Sequence, residues 1–465
     1  MRILLVQPPV SGITAKNRIV EPLALEILAS TILHTHEVKI VDLRIEENFK
    51  DMLYVFKPNV IGFTCYISQK KYVLKMALIA KQYNPAIINI VGGVHATYEP
   101  EDFNDSNIDY IIQGDGEISF PSAISMIENK FDKEKRLIPG LVCVENGCLV
   151  YGTSKEILND LSLSPAPARH LTKRYHSFYK YLDWNNVASI SSSRGCKNRC
   201  EFCSIWKQRR GNVAHFPIQN IINQLLCIEQ NNIYFCDANS FQDIEYMKYL
   251  AEEIHNYNIK KNYMMYINSN TVVDEIDLIK KWYTLGLKRV FVGFEFINNV
   301  KLYQYKKFNN ERINDLSIKI LHDIGIEIVS SFIIDLDSTE KDYNMLRDWV
   351  EKHDLTIPVF NVLTPLPGST LYNENRELLR KLPDNYFDFE HAVLPTKLPL
   401  KKYYKLLADL YRHVYASKLS SELIHKLGYS EKTLLKRKKI GDILALNIEM
   451  IAREHLNSDY YVQEN

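Results

Sequence analysis

The sequence lacks an excess of charge of either sign, because 57 lysines and arginines balance 56 aspartates and glutamates to a formal net charge of +1. Such a chain has no global field that would attract nucleic acid. It also lacks a run of roughly 18 uninterrupted apolar residues, the length of a membrane span. The N-terminal MRILLVQPPV is broken too early by Gln7 and two prolines to be a signal peptide. We therefore expect a cytoplasmic protein that binds no nucleic acid.

Cysteines are also scarce, and eight in 465 residues are too few for a disulfide scaffold. Three of them, Cys196, Cys200 and Cys203, nevertheless lie within eight positions in SSSRGCKNRCEFCSIW. The other five are scattered and supply no second CxxC pair, whereas a closed structural zinc site needs four ligands. Three thiols leave one metal position open, as in an iron–sulfur cluster with a reactive iron. The alternative is a zinc site completed by a distant histidine or cysteine.

Length and periodicity indicate two domains and a tail, since single cores rarely grow beyond roughly 250 to 300 residues. Residues 1–152 alternate near-continuous apolar strands with helical stretches and end in a hairpin at Asn146-Gly147, which predicts a doubly wound, Rossmann-like α/β domain. Residues 153–186 read as a linker. Residues 187–375 contain six strand and helix repeats, which predict a partial (β/α)6 barrel. Residues 376–465 are predicted to be an α-helical extension.

The C-x3-C-x2-C spacing, with Phe202 before the third cysteine and Ser-Arg-Gly before the first, resembles the signature of the radical S-adenosylmethionine enzymes. The resemblance implies that Cys196, Cys200 and Cys203 hold a 4Fe-4S cluster whose open iron binds S-adenosylmethionine. An external electron donor such as flavodoxin or ferredoxin would then drive cleavage of S-adenosylmethionine to a 5′-deoxyadenosyl radical. Phe202 is expected beside this cofactor.

Other barrel positions are similar to the same family. Glu295 in VGFEF is placed by the resemblance near the cofactor ribose, and the alternative is an ordinary salt bridge at a strand end. Asp237 and Asn239 in FCDANSF are expected to line the site, unless they merely cap the next helix. TPLPGSTLY at 364–372 is close to a sixth-strand motif of the cobalamin-binding subgroup. IIDLDST departs from the Gly-x-Pro of relatives, which leaves Asp335 and Asp337 without a role.

The first domain lacks the GxGxxG of nicotinamide-binding folds. Its loops GGVHAT and GDGE, followed by PAPAR, resemble instead the cobalamin-binding domain of cobalamin-dependent radical S-adenosylmethionine enzymes. Doubly wound sheets bind ligands beyond the carboxyl ends of their strands. The cobalamin-binding residues expected there are Gln7, Thr64, Cys65, Tyr66, Gly92, Gly93, His95, Gly114, Gly116 and Glu117. A Rossmann-like fold without a cofactor is the alternative.

The Asp-x-His-x-x-Gly motif that supplies an axial histidine in other cobalamin proteins is missing. The resemblance therefore implies a cobalt without that imidazole. His95 is expected to hydrogen-bond the corrin periphery or to cap a turn rather than to bind cobalt.

Three functions remain open. The first is methylation of an unactivated carbon in a natural-product, lipid or peptide substrate. The second uses the same cofactors for radical cyclisation, ring rearrangement or oxidation, and the third is a non-enzymatic cobalamin-binding sensor. Methylthiolation of tRNA is disfavoured, since the first domain has no second cysteine triad and the chain has no strongly basic RNA-binding tail. The basic run at 436–439 reads as a solvated helix surface or as a peripheral contact with an anionic membrane or an acidic peptide.

Overall fold

A computed structural model describes residues 1–10, 12, 17–130 and 132–457. The chain forms two compact units. The first consists of Met1–Ser191 with Ala214–Gln230, and the second of Ser192–Val213 with Asn231–Asn465. The cysteine loop therefore belongs to the second unit. Among the helices so described, none combines the length and the apolar character needed to cross a bilayer.

The first unit is built on a sheet of seven strands. They are β1 (Arg2–Gln7), β2 (Glu37–Asp42), β3 (Val60–Thr64), β4 (Ile88–Gly92), β5 (Tyr110–Ile112), β6 (Leu141–Glu145) and β7 (Cys148–Tyr151). Their order is β2-β1-β3-β4-β5-β6-β7, with the first five parallel and the last two antiparallel. The order reverses between β1 and β3, and a doubly wound sheet binds its ligand at that point.

Helices cover both faces of this sheet, which is why its strands are apolar almost throughout. They are α1 (Leu23–Ser30), α2 (Phe49–Phe56), α3 (Lys70–Tyr83), α4 (Val94–Tyr98) and α5 (Gly116–Asn129). The helix Ile218–Cys227 also belongs to the first unit. The short strands Arg18–Ile19, Lys180–Tyr181 and Trp184–Asn185 form a small separate sheet, and Val187–Ile190 is a further strand. The hairpin between β6 and β7 turns at Asn146 and Gly147, both with positive φ, as its sequence predicts.

The second unit repeats strand and helix in chain order. Its main strands are β8 (Asn232–Phe235), β9 (Asn262–Ile267), β10 (Leu287–Glu295), β11 (Glu327–Ile334) and β12 (Ile357–Val362), each parallel to the next. Its helices are α6 (Ile244–Asn256), α7 (Ser269–Asp274), α8 (Ile276–Leu285), α9 (Asn299–Gln304), α10 (Glu311–Ile324) and α11 (Glu340–Lys352). With Val187–Ile190, all six strands predicted from the sequence are present.

The C-terminal region is helical, as predicted. It contains the short helices Thr370–Glu374 and Arg376–Leu379, then α12 (Leu400–Ala416), α13 (Ser421–Leu427) and α14 (Glu431–Leu456). Helix α14 packs along α12, and α12 packs on α11. Arg437, in the basic run, is not a solvated residue, because it is buried and donates hydrogen bonds to the carbonyls of Tyr415 (2.7 Å) and Thr356 (3.1 Å).

Candidate functional site

The cysteine loop follows the short strand Ser193–Gly195 and precedes the helix Ile205–Gln208. Cys196 and Cys200 are buried and Cys203 is half-buried. Burial raises the pKa of all three thiols, that of Cys200 to about 12, while the nearby Lys307 ammonium opposes the rise. Thiols in such surroundings lose their protons when a metal takes the proton's place.

The donor set fits a cluster. Within the described ranges, no three histidine, cysteine or acidic side chains converge on a single ion position. A cubane does not need such convergence, because each thiolate binds a different iron corner. Three thiols on one loop therefore suit a 4Fe-4S cluster with one free iron.

Asp237 anchors the entrance to this loop. Its Oδ1 accepts hydrogen bonds from the backbone N–H groups of Ser192 (2.8 Å) and Ser193 (2.9 Å), and its Oδ2 accepts from the Ser192 hydroxyl (2.6 Å). Burial raises the pKa of the carboxyl, while these bonds oppose the rise. The helix-capping alternative is wrong, since Asp243 caps α6 through the N–H of Tyr246. Asp237 instead fixes the residues immediately before Cys196.

Asn239 lies two residues beyond Asp237. Its Oδ1 accepts from the backbone N–H of Phe241 (3.3 Å), and its side chain lines a polar cavity together with Lys197 and Asn268. Gln242 lines the same cavity and donates to the carbonyl of Gly195 (3.1 Å). The cavity therefore borders the cysteine loop.

Glu295, at the end of β10, forms an ion pair with Lys307 (3.0 Å), and both side chains are about one-tenth exposed. Glu295 therefore does form a salt bridge, and the charge of its partner Lys307 also acts on the thiols of Cys200 and Cys203. The pair sits directly against Gly293, where a Cβ would lie 2.2 Å from the carboxylate of Glu295. No sequence pattern pointed to Lys307, because it lies 104 residues beyond Cys203 in the chain.

The segment that carries Lys307 also packs on the cysteine loop. Glu201, between the second and third cysteines, donates its backbone N–H to the carbonyl of Tyr305 (3.1 Å) and pairs with Lys306. The ring of Phe202 lies 6.1 Å from that of Tyr305. Phe202 is therefore held by the segment after α9.

Asp335 and Asp337, for which the sequence offered no role, hold this segment. Lys301 of α9 donates to Asp335 (2.7 Å) and to Asp337 (2.8 Å), and the Tyr305 hydroxyl donates to Asp335 (2.9 Å). Tyr305 also stacks on Phe296 at a centroid distance of 5.0 Å. The end of β11 thus fixes the segment that contacts the cysteine loop.

In the first unit, the loops after β3 and β4 are locked together. Gly93 has φ of 97°, and a Cβ there would lie 2.8 Å from the backbone nitrogen of Cys65, so the turn requires glycine. Thr64 ends β3 and Gly92 ends β4, while Tyr66 projects with 58% of its surface exposed. These positions form the carboxyl edge on which the sequence places cobalamin.

Gln69 is a residue of this edge that the sequence did not single out. It donates to the carbonyls of Pro8 (3.1 Å) and Pro9 (3.2 Å) and accepts from the backbone N–H of Tyr66 (3.1 Å). Gln69 therefore joins the loop after β1 to the loop after β3, the two strands between which the strand order reverses. Gln7, the last residue of β1, is buried beneath them.

His95 is buried and already bonded. Its Nε2 lies 2.9 Å from Asp102, its ring meets Phe103 edge-on, and its backbone N–H donates to the carbonyl of Cys65 (3.0 Å). Burial opposes ionisation of Asp102, but His95 and Lys70 outweigh it and lower the pKa of Asp102 to about 2. With the Nε2 atom engaged and the ring enclosed, this geometry does not suit a cobalt ligand.

The GDGE loop lies next to the segment after the hairpin. The space at Gly114 is bordered by Glu156 and Lys155, and Gly116 begins α5. Glu117 accepts from the hydroxyl of Ser164 (3.0 Å). Part of this loop is therefore covered by the chain itself.

Arg169 of PAPAR is a structural tie within the first unit. It pairs with Glu21 and donates to the carbonyl of Ser189 (2.5 Å) and to Gln224 (3.2 Å). The neighbouring Glu26 is deeply buried, and desolvation together with the charge of Glu21 raises its pKa to about 7.

Two protein families match this chain. The B12 binding domain matches residues 13–124, and the radical SAM superfamily matches residues 190–350. Together the matches cover the carboxyl edge after β3 and β4 and the cysteine loop.

Curated relatives match over most of the length. The hopanoid C-3 methylase of Methylococcus capsulatus is 26% identical over 422 residues, which cover 89% of this chain and 80% of that protein. The anaerobic magnesium-protoporphyrin IX monomethyl ester cyclase of Rubrivivax gelatinosus is 26% identical over 375 residues, which cover 76% of this chain and 64% of that protein.

Among solved structures, the cobalamin-dependent S-adenosylmethionine radical enzyme OxsB with aqua-cobalamin and S-adenosylmethionine bound has a TM-score of 0.72. The alignment covers 98% of this chain and 75% of that chain at 15% identity, so it speaks for the fold alone. The matched families, the relatives and the fold agree with the resemblance of the cysteine and glycine loops. The chain belongs to the cobalamin-dependent radical S-adenosylmethionine enzymes, whose cofactors are a 4Fe-4S cluster, S-adenosylmethionine and cobalamin.

Proposed function

We propose that this enzyme transfers a methyl group to an unactivated carbon atom. The observation that carries the proposal is the presence, in one chain, of a three-cysteine loop and a cobalamin-type carboxyl edge, together with the likeness to a protein named a hopanoid C-3 methylase. When bound, the three cofactors supply hydrogen abstraction and the methyl donor. The protein must hold them and exclude water.

We assign the cluster to Cys196, Cys200 and Cys203. Lys307 places a positive charge beside these thiols, and its pairing with Glu295 keeps both side chains oriented. A cation next to an anionic thiolate cluster favours the electron-rich state, since electrostatic attraction is strong where water is excluded. Phe202, Asn239 and Glu295 remain the residues proposed to contact S-adenosylmethionine, with Asp237 holding the loop from below.

We assign cobalamin to the carboxyl edge of the first unit. Thr64, Gly92 and Tyr66 lie at the strand ends, and Gln7 and Cys65 support the loops from inside. His95, Gly93, Gly114, Gly116 and Glu117 are proposed to shape the edge through their own chain contacts. His95 in particular would orient the turn after Gly93 rather than bind the metal.

The electron donor is proposed to be acidic. Around the cysteine loop the exposed or half-exposed basic side chains are Lys197, Arg199, Lys207, Arg210 and Lys306. Four of these five residues lie in the stretch 196 to 212, where Glu201 is the single acidic residue. Because the whole chain is nearly neutral, this local charge favours docking of an acidic protein such as flavodoxin or ferredoxin.

The substrate is proposed to be a lipid, natural product or peptide, with a lipid favoured by the named hopanoid methylase. The test is to incubate reconstituted enzyme anaerobically with reductant, methyl-deuterated S-adenosylmethionine and a lipid extract. We expect 5′-deoxyadenosine, S-adenosylhomocysteine and a lipid that carries the label. Cys200→Ala should give neither 5′-deoxyadenosine nor labelled lipid. A reconstituted enzyme that labels no lipid, peptide or small-molecule fraction would contradict the proposal.

The likeness to a monomethyl ester cyclase favours a second candidate, radical cyclisation or oxidation without methyl transfer. The same assay separates the two. Cyclisation predicts 5′-deoxyadenosine without stoichiometric S-adenosylhomocysteine and without label in the product. A cobalamin sensor would produce neither nucleoside.

A further inference from the structure

Helix α14 is apolar on two sides. One side is buried and includes Ala445, Ile448 and Ile451. Four large apolar side chains on the other side are exposed by 54 to 64%: Leu435, Ile443, Leu446 and Met450. At 3.6 residues per turn these four lie within an arc of about 80°. A soluble helix ordinarily turns polar residues outward, so this exposed stripe needs an occupant.

Basic residues accompany the stripe. Lys432, Lys436, Lys438 and Lys439 are exposed. The acidic residues of α14 are Glu431, Asp442, Glu449 and Glu454, so the basic charge is concentrated between 432 and 439. Lys432 and Lys439 lie on the same side of the helix as Leu435 and Ile443 at helical spacing. Arg453 is exposed near the far end of the stripe. Long lysine stems extend over apolar surface and keep their ammonium groups at its border.

Apolar residues bordered by lysines match the chemistry of an anionic bilayer surface, which offers acyl chains below and phosphates above. We propose that α14 docks the enzyme on an anionic membrane, with the stripe from Leu435 to Met450 entering the headgroup region and the lysines binding lipid phosphates. Arg437 takes no part, since its guanidinium is tied to backbone carbonyls inside the protein. The proposal concerns membrane attachment and does not depend on methyl transfer.

The test is co-sedimentation of the full chain with vesicles. We expect binding to vesicles of equal parts phosphatidylcholine and phosphatidylglycerol, and at least 10-fold weaker binding to phosphatidylcholine alone. Leu446→Gln/Met450→Gln should weaken binding at least 10-fold. Lys436→Gln/Lys439→Gln should weaken it to a similar degree and reduce its dependence on salt. The matched control is Leu137→Gln/Leu226→Gln, which changes two equally exposed leucines of the first unit and should bind like wild type.

Each variant is checked by its thermal unfolding midpoint and iron content, which these exposed changes should leave unaltered. Equal binding to both vesicle types, no binding to either, or a control variant as weak as the stripe variant would overturn the proposal. So would a wild-type dimer in sedimentation velocity that Leu446→Gln/Met450→Gln converts to a monomer, because the stripe would then be an interface between copies. None of these outcomes involves S-adenosylmethionine, so they leave the proposed reaction untouched.

Discussion

Substitution of Asp237 tests whether this side chain is an anchor of the cysteine loop. Asp237→Ala removes the acceptor of two backbone N–H groups and one hydroxyl, all buried. Leaving a buried donor unsatisfied costs about 1–3 kcal/mol. Removing the carboxylate also removes the free-energy cost of burying its charge, which partly offsets this loss; the raised pKa of Asp237 shows that such a cost exists. We expect a net loss of about 2–3 kcal/mol in the free energy of unfolding of the second unit.

Asp237→Asn separates anchoring from a need for charge. The amide keeps an oxygen at the Oδ1 position for Ser192 and Ser193, and its nitrogen can donate to the Ser192 hydroxyl. We therefore expect Asp237→Asn to lie within about 1 kcal/mol of wild type and to retain its iron. Asp237→Ala should retain less than half of the iron, since the residues before Cys196 lose their support.

The assay measures iron and sulfide after anaerobic reconstitution, together with urea unfolding. Asp342→Ala is the matched control, because Asp342 accepts from the N–H (2.7 Å) and hydroxyl (2.6 Å) of Thr339 at the start of α11. It should lose stability but keep iron. If Asp237→Ala binds as much iron as wild type, the anchor is refuted. If Asp237→Asn is as damaging as Asp237→Ala, the carboxylate charge itself is required.

Three further predictions follow from buried charges. Lys307→Met removes a positive charge and should lower the cluster's reduction potential in a spectroelectrochemical titration. It should also destabilise the fold by about 3 kcal/mol, because Glu295 is left unpaired. Lys307→Arg should restore both the potential and the stability, and an unchanged potential in Lys307→Met would contradict the assignment. The pKa of Asp102 is lowered to about 2, so its stabilisation is present above about pH 4 and fades as the pH falls toward 2. Asp102→Asn should therefore cost about 2 kcal/mol at pH 7 in urea unfolding, with a gap from wild type that narrows below pH 4. The pKa of Glu26 is raised to about 7, so the stability of the wild-type protein should fall as the pH rises from about 4.5 to 7. The thermal unfolding midpoint of Glu26→Gln should not show this decrease over the same pH range.

Local patterns predicted much of this molecule. The cysteine loop is one segment of chain, so its spacing alone indicated a cluster. The hairpin at Asn146-Gly147 depends on two adjacent residues that tolerate positive φ. The strand and helix alternation follows from apolar runs that are buried on both faces of a parallel sheet.

Contacts between distant segments were not predictable in the same way. Lys307 reaches the thiols only because α9 and β10 bring it back to the cysteine loop. Asp335 and Asp337 gain their role from Lys301, which lies on another repeat. Arg437 looked like part of a solvated basic run, yet the packing of α14 on α12 buries it. In each case the partner is set by the fold rather than by nearby sequence.

The most direct test of the central claim is the cofactor content of anaerobically reconstituted protein. The assignment predicts iron and sulfide in equal amounts with cubane absorbance, together with bound cobalamin. It predicts that Cys200→Ala loses the iron and sulfide but keeps the cobalamin. A Cys200→Ala protein with an intact cluster, or a wild-type protein that binds neither a cluster nor cobalamin, would contradict it.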